Sequence, residues 1–456
     1  MNAVSTIAAL ATAPGAGAVA IIRLSGPESL AVLERVFQRP GGASPWPPRR
    51  LCRGRLAHPE SGRLLDDGLA VWFPGPRSFT GEDSAEIQGH GGPAVSALAL
   101  EAVLAAGAEL AAPGEFTKRA YLNGRLDLAQ AEAVADLVAA RSAAETTLAA
   151  RQLAGGLSAR VEEIAAAVFS ALVDLEAGLD FSEEVAGPEL TALADRLGRE
   201  VQPRLTALRE AGRAGRPFRY GLKVALAGAP NVGKSSLFNA LAGAERALVS
   251  PRAGTTRDYL TAEAIWNELR VELYDTAGLS AAPTDELDEL GQARSRERLA
   301  EADLVLWVRD CAAGPRATAA EPEPGLDPER TVVVWNKLDL APPPPAGSLP
   351  GAPLELAVSA RTGLNLPALK AAVVKLAIGR ENPDLPEVVP SLRHQAALAR
   401  ADEYLRATLA AIAEGAPPDI CAFELRSVLN ALGDIRGLTT ADDILNEIFS
   451  RFCLGK

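Results

Sequence analysis

The chain has 456 residues, of which 48% are hydrophobic and 23% are charged, and its net charge is −12. This length predicts several domains with apolar cores, and the negative charge argues against strong non-specific binding to nucleic acid. The four cysteines lie far apart, without the CxxC or Cys/His spacing of a zinc site and without a disulfide framework, which fits a reducing cytosol. Because the sequence shows neither a signal peptide nor an apolar run long enough to cross a bilayer, we expect a cytoplasmic protein with no membrane partner.

The chain begins with a block of short strands, turns and one helix, residues 1–125. The segments GAVAIIRLSG and DDGLAVWFPGP are typical of strands, and PAVSALALEAVLAAGA is typical of a helix. We interpret this block as an N-terminal α/β or α+β domain.

A helical region follows, residues 126–218. It is rich in alanine, and the stretch up to about Asp180 contains no proline, which favours long helices. The segment PELTALADRLGREVQPRLTALREA is predicted to be helical as well, and GRAGRPFRYG is interpreted as a basic linker that leads out of the region.

Residues 219–380 alternate apolar runs with helical segments. The runs are LKVALAG, LRVELYDTAG, ADLVLWVRD, RTVVVWNKLD and LELAVSA. This alternation predicts a doubly wound, mostly parallel sheet. Residues 381–456 are predicted to be helical again, so we expect the two helical blocks to pack together, with the second α/β domain inserted between them.

The segment GAPNVGKS, from Gly228 to Ser235, matches the phosphate-loop pattern GxxxxGK[ST]. A predicted strand precedes it and the predicted helix SSLFNALAG follows it, which is the context the motif requires and which disfavours an accidental glycine-rich turn. Backbone N–H groups would surround the phosphate oxygens, Lys234 would reach the β- and γ-phosphates, and Ser235 would bind Mg²⁺. The predicted phosphate-binding residues are Asn231, Val232, Gly233, Lys234, Ser235 and Ser236.

Three further motifs follow in the order of a Ras-like GTPase. The aspartate of DTAG would act through Mg²⁺, and the glycine N–H would sense the γ-phosphate. The carboxylate of NKLD would accept hydrogen bonds from guanine N1–H and the amino group, which adenine cannot offer, and SAR would place backbone N–H groups near the guanine carbonyl oxygen. We therefore predict that the nucleotide is GTP. The residues concerned are Asp275, Thr276, Ala277, Gly278, Asn336, Lys337, Asp339, Ser359, Ala360 and Arg361.

The segment GTTRD, between the phosphate loop and DTAG, is a candidate switch in which Thr256 would bind Mg²⁺ in the presence of the γ-phosphate. Leu279 follows DTAG at the position where Ras-like proteins have a water-orienting glutamine. Because a leucine cannot orient a water molecule, hydrolysis needs another polar group or is very slow.

The motifs GAPNVGKSS, GTTRD and DTAGL, the long N-terminal block and the terminal FCLGK resemble the MnmE (TrmE) family of tRNA-modification GTPases. Further shared blocks are TIAALATAPG, SFTGEDSAEIQGHGG and PGEFTKRAYLNGRLDLAQAEAVADL, so the likeness spans essentially the whole chain. The resemblance implies a K⁺-dependent GTPase that forms a homodimer across the nucleotide faces of its G domains. It also implies a heterotetramer with an MnmG-like FAD protein, which adds an aminomethyl or carboxymethylaminomethyl group to carbon 5 of the wobble uridine of certain tRNAs.

The resemblance also implies a K⁺ site beside the nucleotide. The family's K⁺ ligands correspond to Asn231, Ser250, Arg252 and Thr255, of which Ser250 and Thr255 also contact the nucleotide. Without the resemblance, Asn231 would be interpreted as a simple turn residue. A K⁺ ion held there could stabilise transition-state charge in place of an arginine finger.

The family's catalytic acid lies after DTAGL, in the segment SAAPTDELDELGQARSRER. Asp288 stands where a glutamate is expected, and the neighbouring Glu289 and Glu286 are the alternatives. A solvated acidic start of a helix, favoured by the helix dipole, is the structural alternative to a catalytic role.

The N-terminal block is implied to bind a tetrahydrofolate derivative, 5-formyl- or 5,10-methylene-tetrahydrofolate, as a one-carbon donor. The family's folate-binding positions correspond to Arg23, Glu86, Arg125 and Lys456; Arg125 stands where lysine is common, which keeps the charge but changes its geometry. Basic side chains suit the glutamate carboxylates of a folate, and a carboxylate suits the donor edge of its pterin ring. His90 in GHGG is interpreted as a structural turn residue.

Cys453, in the terminal FCLGK, has two competing interpretations. It falls on one helical stripe with Leu445 and Phe449, which predicts a buried structural cysteine. The resemblance instead implies a catalytic thiol that adds to carbon 6 of uracil and activates carbon 5.

The alternative function for the whole chain is a regulatory GTPase switch for ribosome assembly without covalent chemistry. The GTPase motifs alone would be compatible with such a switch. The N-terminal block and FCLGK favour the tRNA-modifying enzyme, because a pure switch needs neither a folate nor a terminal thiol.

Overall fold

The computed structural model of the chain describes residues 5–40, 45–180, 190–243, 261–275, 299–313, 327–345, 350–379 and 385–456. The chain folds into two compact units. The first consists of residues 1–139, 149–209 and 392–456, and the second of residues 140–148 and 210–391. The second unit is thus inserted into the first along the sequence. The predicted domain boundaries near residues 125, 218 and 380 stay predictions.

The first unit contains a sheet with the strand order β3-β4-β5-β6-β2-β1-β7. Neighbouring strands are antiparallel except β1 and β7, so the sheet is mixed and largely antiparallel, as in the α+β interpretation of this block. The strands are β1 (Ile7–Leu10), β2 (Gly17–Ser25), β3 (Phe37–Gln38), β4 (Cys52–Ala57), β5 (Leu64–Phe73), β6 (Ser84–Gly91) and β7 (Glu109–Leu110). The helices beside them are α1 (Ser29–Val36), α2 (Pro93–Ala105) and α3 (Glu115–Leu122).

The alternation of side chains along β2 determines which residues reach the core. Ile22 and Leu24 are buried in the apolar cluster that also contains residues of α1 and α2. Since successive side chains of a strand point to opposite faces, Arg23 lies on the other face of the sheet. It is directly opposite Glu86 of β6 in the antiparallel register.

The rest of the first unit is helical, as predicted, and helix Gly156–Asp180 from the earlier helical block packs against helix Pro418–Arg436 from the later one. None of the helices in the described ranges is long and apolar enough to cross a membrane.

The helices after α3, taken over both units in chain order, are α4 (Leu128–Ala139), α5 (Ala143–Leu153), α6 (Gly156–Asp180), α7 (Leu190–Glu200), α8 (Gln202–Ala214), α9 (Arg216–Tyr220), α10 (Lys234–Ala242), α11 (Leu366–Ile378), α12 (Leu392–Ala413), α13 (Pro418–Arg436) and α14 (Asp442–Ser450).

A buried charge cluster joins α4 to α12. Glu132 accepts a hydrogen bond of 2.6 Å from Arg393 Nε, and its other carboxylate oxygen lies 2.9 Å from Nε2 of the fully buried His394. Burial alone would raise the pKa of the Glu132 carboxyl, but His394 and Arg393 outweigh this effect and lower it to about 2. The carboxylate therefore stays ionised and holds the two helices together.

The interpretation of GRAGRPFRYG as a linker is wrong. Helix α8 continues to Ala214, and α9 occupies Arg216–Tyr220. Phe218 of α9 is buried in the core of the second unit, and Arg219 Nη1 donates a hydrogen bond of 2.9 Å to the Val389 carbonyl oxygen. The segment is basic in composition, but it contains the apolar Phe218, and burial of this side chain stabilises the short helix.

The second unit contains a sheet with the strand order β13-β12-β11-β8-β10-β9. The five predicted strands are all present and parallel, which confirms the doubly wound sheet. The antiparallel edge strand β9 was not predicted, because its sequence TAEAIW contains no continuous apolar run. The strands are β8 (Leu222–Ala227), β9 (Thr261–Trp266), β10 (Leu269–Asp275), β11 (Leu304–Asp310), β12 (Thr331–Asn336) and β13 (Leu354–Ala357).

Candidate functional site

The phosphate loop connects β8 to α10, at the position where the strand order of the second sheet reverses. Gly228 has a φ of +140°, and a Cβ at this position would lie 2.2 Å from the Val308 carbonyl oxygen. Gly233 has a φ of +94°, and a Cβ there would lie 2.3 Å from Asn336 Nδ2. The loop can therefore pass close to the ends of β11 and β12 only with glycine at both positions.

Lys234 is the first residue of α10 and is buried. Its ammonium group donates hydrogen bonds to the carbonyl oxygens of Gly228 at 2.6 Å and Ala229 at 2.9 Å. These bonds hold a positive charge across the loop at the N-terminus of a helix, where backbone N–H groups and the helix dipole both favour an anion. The sequence placed Lys234 beside the phosphates, and the geometry suits that role.

Ser235 and Asp275 lie together beside the phosphate loop. The Ser235 hydroxyl donates a hydrogen bond of 2.9 Å to Asp275 Oδ2, and Asp275, at the end of β10, is only 1% exposed. Asp275 Oδ1 is buried and has no hydrogen-bond partner in the described part of the chain. A hydroxyl oxygen and a carboxylate with one unsatisfied oxygen are ligands of the kind that Mg²⁺ takes. The residues thus fit a Mg²⁺ ion, which would neutralise phosphate charge when bound.

Asn336 ties the phosphate loop to the loop that follows β13. Its Nδ2 donates a hydrogen bond of 3.0 Å to the Val232 carbonyl oxygen, and its Oδ1 accepts one of 3.0 Å from the Ala360 N–H. Lys337 makes a second connection: its Nζ lies 2.8 Å from the Asn231 carbonyl oxygen and 2.6 Å from Asp310 Oδ2. The predicted phosphate and guanine motifs therefore form one hydrogen-bonded assembly.

Asp339 lies at the exposed edge of this assembly. The Ser359 hydroxyl donates a hydrogen bond of 2.7 Å to Asp339 Oδ1, and this bond lowers the pKa of the carboxyl. An ionised and oriented carboxylate in this place can accept two hydrogen bonds from guanine. Arg361 and Ser236 are exposed, and Val232 is buried.

Most of the remaining predicted nucleotide, ion and catalytic positions are not among the residues that the structure describes. The following lie outside the described residues: Ser250, Arg252, Thr255, Thr256, Thr276, Ala277, Gly278, Asp288 and Glu289. Of the four predicted K⁺ ligands, only Asn231 is described. It has a φ of +64° and an exposed side chain beside the phosphate loop.

The first unit contains an open cavity of about 460 Å³, within the usual range for small-molecule sites. Three of the four predicted folate positions, Arg23, Glu86 and Arg125, line it. Arg23 Nε donates a hydrogen bond of 3.0 Å to Glu86 Oε1. A basic group that orients a carboxylate, with further cationic side chains in the same cavity, fits the donor edge and the carboxylates of a folate.

Three phenylalanines line this cavity, Phe73, Phe79 and Phe116, and the last two lie beside Arg23. The Arg23 guanidinium lies 5.8 Å from the centre of the Phe79 ring and 5.9 Å from that of Phe116. Phe116 is fully buried and Phe79 is exposed. These rings give the cavity flat apolar walls at the Arg23 end. The sequence analysis missed Phe79 and Phe116, and also missed Arg49 and Arg77, which line the same cavity.

The C-terminal segment reaches the first sheet. Phe449 and Phe452 are buried, and a Cβ at Gly114 would lie 2.6 Å from the Phe449 carbonyl oxygen. Gly455 has a φ of +86°, and a Cβ there would lie 2.4 Å from the Leu10 carbonyl oxygen. The Gly455 carbonyl oxygen accepts a long hydrogen bond of 3.5 Å from Arg23 Nη1. Lys456, the fourth predicted folate position, is the next residue along the chain.

The interpretation of Cys453 as a buried helical cysteine is wrong. Helix α14 ends at Ser450, and the turn that follows buries Phe452 and leaves Cys453 exposed. Leu445 and Phe449 therefore share a buried apolar cluster with Phe452, which lies in the turn after the helix, instead of with Cys453. An exposed thiol is compatible with the chemical role implied by the resemblance.

His90 forms a pair with Asp66. Its Nδ1 lies 2.7 Å from Asp66 Oδ1, and its backbone N–H donates a hydrogen bond of 2.7 Å to Asp66 Oδ2. The hydrogen bond and the charge of Asp66 raise the pKa of the His90 imidazole. A Cβ at Gly89 would lie 2.4 Å from Asp66 Oδ2, so the glycine next to His90 makes room for the carboxylate. His90 lies within strand β6, so its interpretation as a turn residue is wrong, and its pairing with Asp66 orients the end of that strand.

Comparisons with known proteins cover almost the whole chain. A family model described as the GTP-binding protein TrmE N-terminus matches residues 6–125, and one described as the MnmE helical domain matches residues 128–453. Curated relatives named tRNA modification GTPase MnmE include those of Roseiflexus castenholzii, 41% identical, and Alkalilimnicola ehrlichii, 43% identical. Each match covers 99% of this chain and 99% of the relative.

Solved structures similar to parts of the chain include G-domain proteins. The G domain of the T. maritima FeoB iron transporter is 27% identical and covers 34% of this chain and 98% of its own, with a TM-score of 0.27. An Aquifex aeolicus Era variant bound to GDP and AlF4⁻ is 29% identical and covers 40% of this chain and 66% of its own, with a TM-score of 0.26. The strand order given above defines the fold of the second unit.

Proposed function

Because the chain belongs to the MnmE family of tRNA modification GTPases, we propose that it couples GTP hydrolysis to modification of carbon 5 of the wobble uridine in certain tRNAs. The product would carry an aminomethyl or carboxymethylaminomethyl group. The observation that carries this proposal is the contact between the C-terminal segment and the cavity of the first unit. There, Arg23 donates to the Gly455 carbonyl oxygen, two residues after the exposed Cys453.

In this proposal the cavity binds 5-formyl- or 5,10-methylene-tetrahydrofolate, which supplies the one-carbon unit. Glu86, oriented by Arg23, accepts hydrogen bonds from the donor edge of the pterin, and Arg125 binds a glutamate carboxylate. Lys456, the residue after Gly455, would add a further cation. The volume of the cavity, its phenylalanine walls and the Arg23–Glu86 pair support this assignment.

Cys453 would act as the nucleophile that adds to carbon 6 of uracil and makes carbon 5 reactive. Its exposed thiol is accessible to a tRNA base. Cys311 and Cys421 are buried, and burial raises the pKa of both thiols, which disfavours the reactive thiolate. Cys52 is half-buried and lies on strand β4.

For GTP hydrolysis we assign Mg²⁺ to Ser235 and Thr256, and the acid to Asp288 or Glu289. K⁺ would add positive charge beside the phosphates, because Leu279 offers no water-orienting group. GTP turnover should be faster in KCl than in NaCl, and equal rates would reject the K⁺ assignment. The K⁺ ligands would be Asn231, Ser250, Arg252 and Thr255.

We also propose that the chain works in the cytoplasm as a homodimer, in a heterotetramer with an MnmG-like FAD protein. The flavin would supply the redox chemistry, for which the chain has no dinucleotide-binding GxGxxG motif of its own. Copurification of an FAD-containing protein with the full chain is expected. Failure of the two proteins to associate, with tRNA modification intact, would reject this partner.

The test of the function is the nucleoside composition of tRNA from a strain in which this gene is deleted and then replaced by variants. Deletion should remove the modified wobble uridine, and the wild-type gene should restore it. Cys453→Ser should leave the uridine unmodified while the purified variant hydrolyses GTP at the wild-type rate, and Cys52→Ser should behave as wild type. Modified tRNA in the deletion strain would reject the function, and modified tRNA with Cys453→Ser would reject the role of the thiol.

A further inference from the structure

The cavity of the first unit carries more positive charge than a folate with one glutamate needs. Four arginines line it, against one carboxylate, that of Glu86. Arg23 is already paired with Glu86 at the inner end. The α- and γ-carboxylates of a single glutamate would leave the cavity with an excess of positive charge. Three further arginines lie at its mouth: Arg49, Arg77 and Arg125.

The cavity has an enclosed end and an open end. At the enclosed end, the side chains of Arg23 and Glu86 are 24% and 19% exposed, and Phe116 is fully buried. Arg49, Arg77 and Arg125 are all exposed. Phe116 and the exposed Phe79 both lie beside Arg23, so a flat ring system stacked there would direct an attached charged chain toward the exposed arginines.

Arg49 is fixed to the loop that contains Arg77. Its Nη2 donates hydrogen bonds of 3.0 Å to the Pro74 carbonyl oxygen and 2.9 Å to the Arg77 carbonyl oxygen. Its own N–H donates one of 2.8 Å to the Trp72 carbonyl oxygen. These bonds hold the guanidinium at the mouth of the cavity, where its remaining N–H groups are available to a ligand.

Arg125 crosses the other end of the same loop. A Cβ at Gly81 would lie 3.2 Å from Arg125 Cγ, so the arginine stem packs over this glycine. Asn123 Nδ2 donates a hydrogen bond of 2.7 Å to the Thr80 carbonyl oxygen and fastens the chain there. Among the described residues, neither Arg77 nor Arg125 forms an ion pair. Two guanidinium groups are thus positioned at the mouth without a carboxylate partner.

We propose that the cavity is built for polyglutamylated folate. The pterin would lie at the Glu86 end, and Arg125, Arg77 and Arg49 would bind successive carboxylates of the γ-linked glutamate tail. This inference rests on the proposed function, because it requires a folate in the cavity. Each exposed ion pair contributes up to about fivefold in Kd, so the tail as a whole should strengthen binding about tenfold or more.

The experiment compares 5-formyl-tetrahydrofolate carrying one glutamate with the same compound carrying five, by titration calorimetry on the full-length protein. For the wild type, the pentaglutamate should bind about tenfold or more tightly, and the difference should shrink at high salt. Arg77→Gln should reduce the preference about threefold to fivefold, because it should weaken binding of the pentaglutamate more than binding of the monoglutamate. Arg49→Gln gives an independent second test with the same expectation.

The matched control is Arg50→Gln, which removes the same charge from an exposed residue next to Arg49 but outside the cavity lining. It should keep the full preference for the pentaglutamate, and an equal loss in Arg50→Gln and Arg77→Gln would overturn the inference in favour of a general charge effect.

Equal Kd values for the two folates in the wild type would also overturn the inference, while the proposed function stands. If Arg77→Gln instead weakens tRNA binding, the arginines serve nucleic acid and the inference is wrong. Binding of neither folate would reject the folate part of the proposed function as well.

Discussion

The nucleotide site of the second unit and the cavity of the first unit are assembled in different ways. The nucleotide site uses short loops at the ends of parallel strands, and its key contacts involve backbone groups, as in the bonds of Lys234 and Asn336 to loop carbonyl oxygens. The cavity uses side chains from strands β2 and β6, a surface loop and the C-terminal segment, as in the contacts of Arg23 with Glu86 and Gly455.

This difference predicts how each site responds to substitution. A site made of close backbone contacts has no room for an added methyl group, so a single change should disrupt several contacts together. A site made of separate side chains should lose affinity in smaller steps, one contact at a time. The following substitutions test this distinction.

Gly233→Ala should have the largest effect. The added Cβ would lie 2.3 Å from Asn336 Nδ2 at a φ of +94°. Left-handed strain of about 1–2 kcal/mol and loss of the buried Asn336 contact, about 1–3 kcal/mol, together correspond to a loss of GTP affinity of about 30-fold or more. Binding of a fluorescent GTP analogue measures this.

The matched control is Gly379→Ala, at the end of α11 in the second unit, where the backbone is left-handed like that of Gly233 (φ +72°, ψ +12°) but no atom lies within 4 Å of the new Cβ. It carries the strain without the clash, so its GTP affinity should fall by less than about tenfold. Equal losses in the two variants would contradict the comparison, because close backbone approach would then have no effect of its own.

Asp339→Asn should weaken GTP binding about 30-fold, because an amide cannot accept both hydrogen bonds from the guanine edge. Xanthosine triphosphate has a carbonyl oxygen in place of the amino group, so it should bind the variant better than the wild type. Competition between the two nucleotides measures the preference. An unchanged preference would mean that Asp339, held by Ser359, does not recognise the base.

Glu86→Gln should weaken binding of 5-formyl-tetrahydrofolate about tenfold, because it removes a charge-assisted acceptor that Arg23 orients. GTP binding should not change. Glu101→Gln, on the exposed side of α2, is the control and should bind the folate normally. Normal folate binding by Glu86→Gln in titration calorimetry would remove Glu86 from the site.

Gly455→Ala should have the smallest effect, a loss of folate affinity of up to about fivefold. The Cβ would lie 2.4 Å from the Leu10 carbonyl oxygen, so the C-terminal segment must shift away from Arg23. Gly62→Ala is matched in its φ of +66° and meets no atom within 4 Å. If Gly455→Ala loses GTP binding and Gly62→Ala does not, the cavity and the nucleotide site are coupled. That result would contradict the distinction between two separately assembled sites.

The sequence predicted the nucleotide site in detail because its information is local. A phosphate loop, a strand-end NKLD and a strand-end SAR each specify a backbone conformation within a few consecutive residues. Parallel strands then bring their carboxyl ends to one edge of the sheet without further information. The described members of this site include Lys234, Asp275 and Asp339, which lie in the phosphate loop or at and after strand ends.

The cavity could be predicted only in part. The resemblance supplied Arg23, Glu86 and Arg125, but Arg49 and Arg77 are in no motif and looked like ordinary surface charges. Their role at the mouth depends on the hydrogen bonds of Arg49 to a loop that is distant in sequence. No local pattern encodes such a contact.

The sequence by itself determined the order of the folded parts, the sheet of the second unit and the nucleotide that it binds. Only the tertiary structure decided the conformation of the C-terminal segment and its contacts. Helical periodicity favoured a buried Cys453, but α14 ends at Ser450, and the turn that follows buries Phe452 and leaves the thiol exposed. The segment then reaches Arg23 across a separation of 432 residues. Helical periodicity predicts which residues are buried only within the helix itself. Packing between residues that are distant in sequence determines where the helix ends.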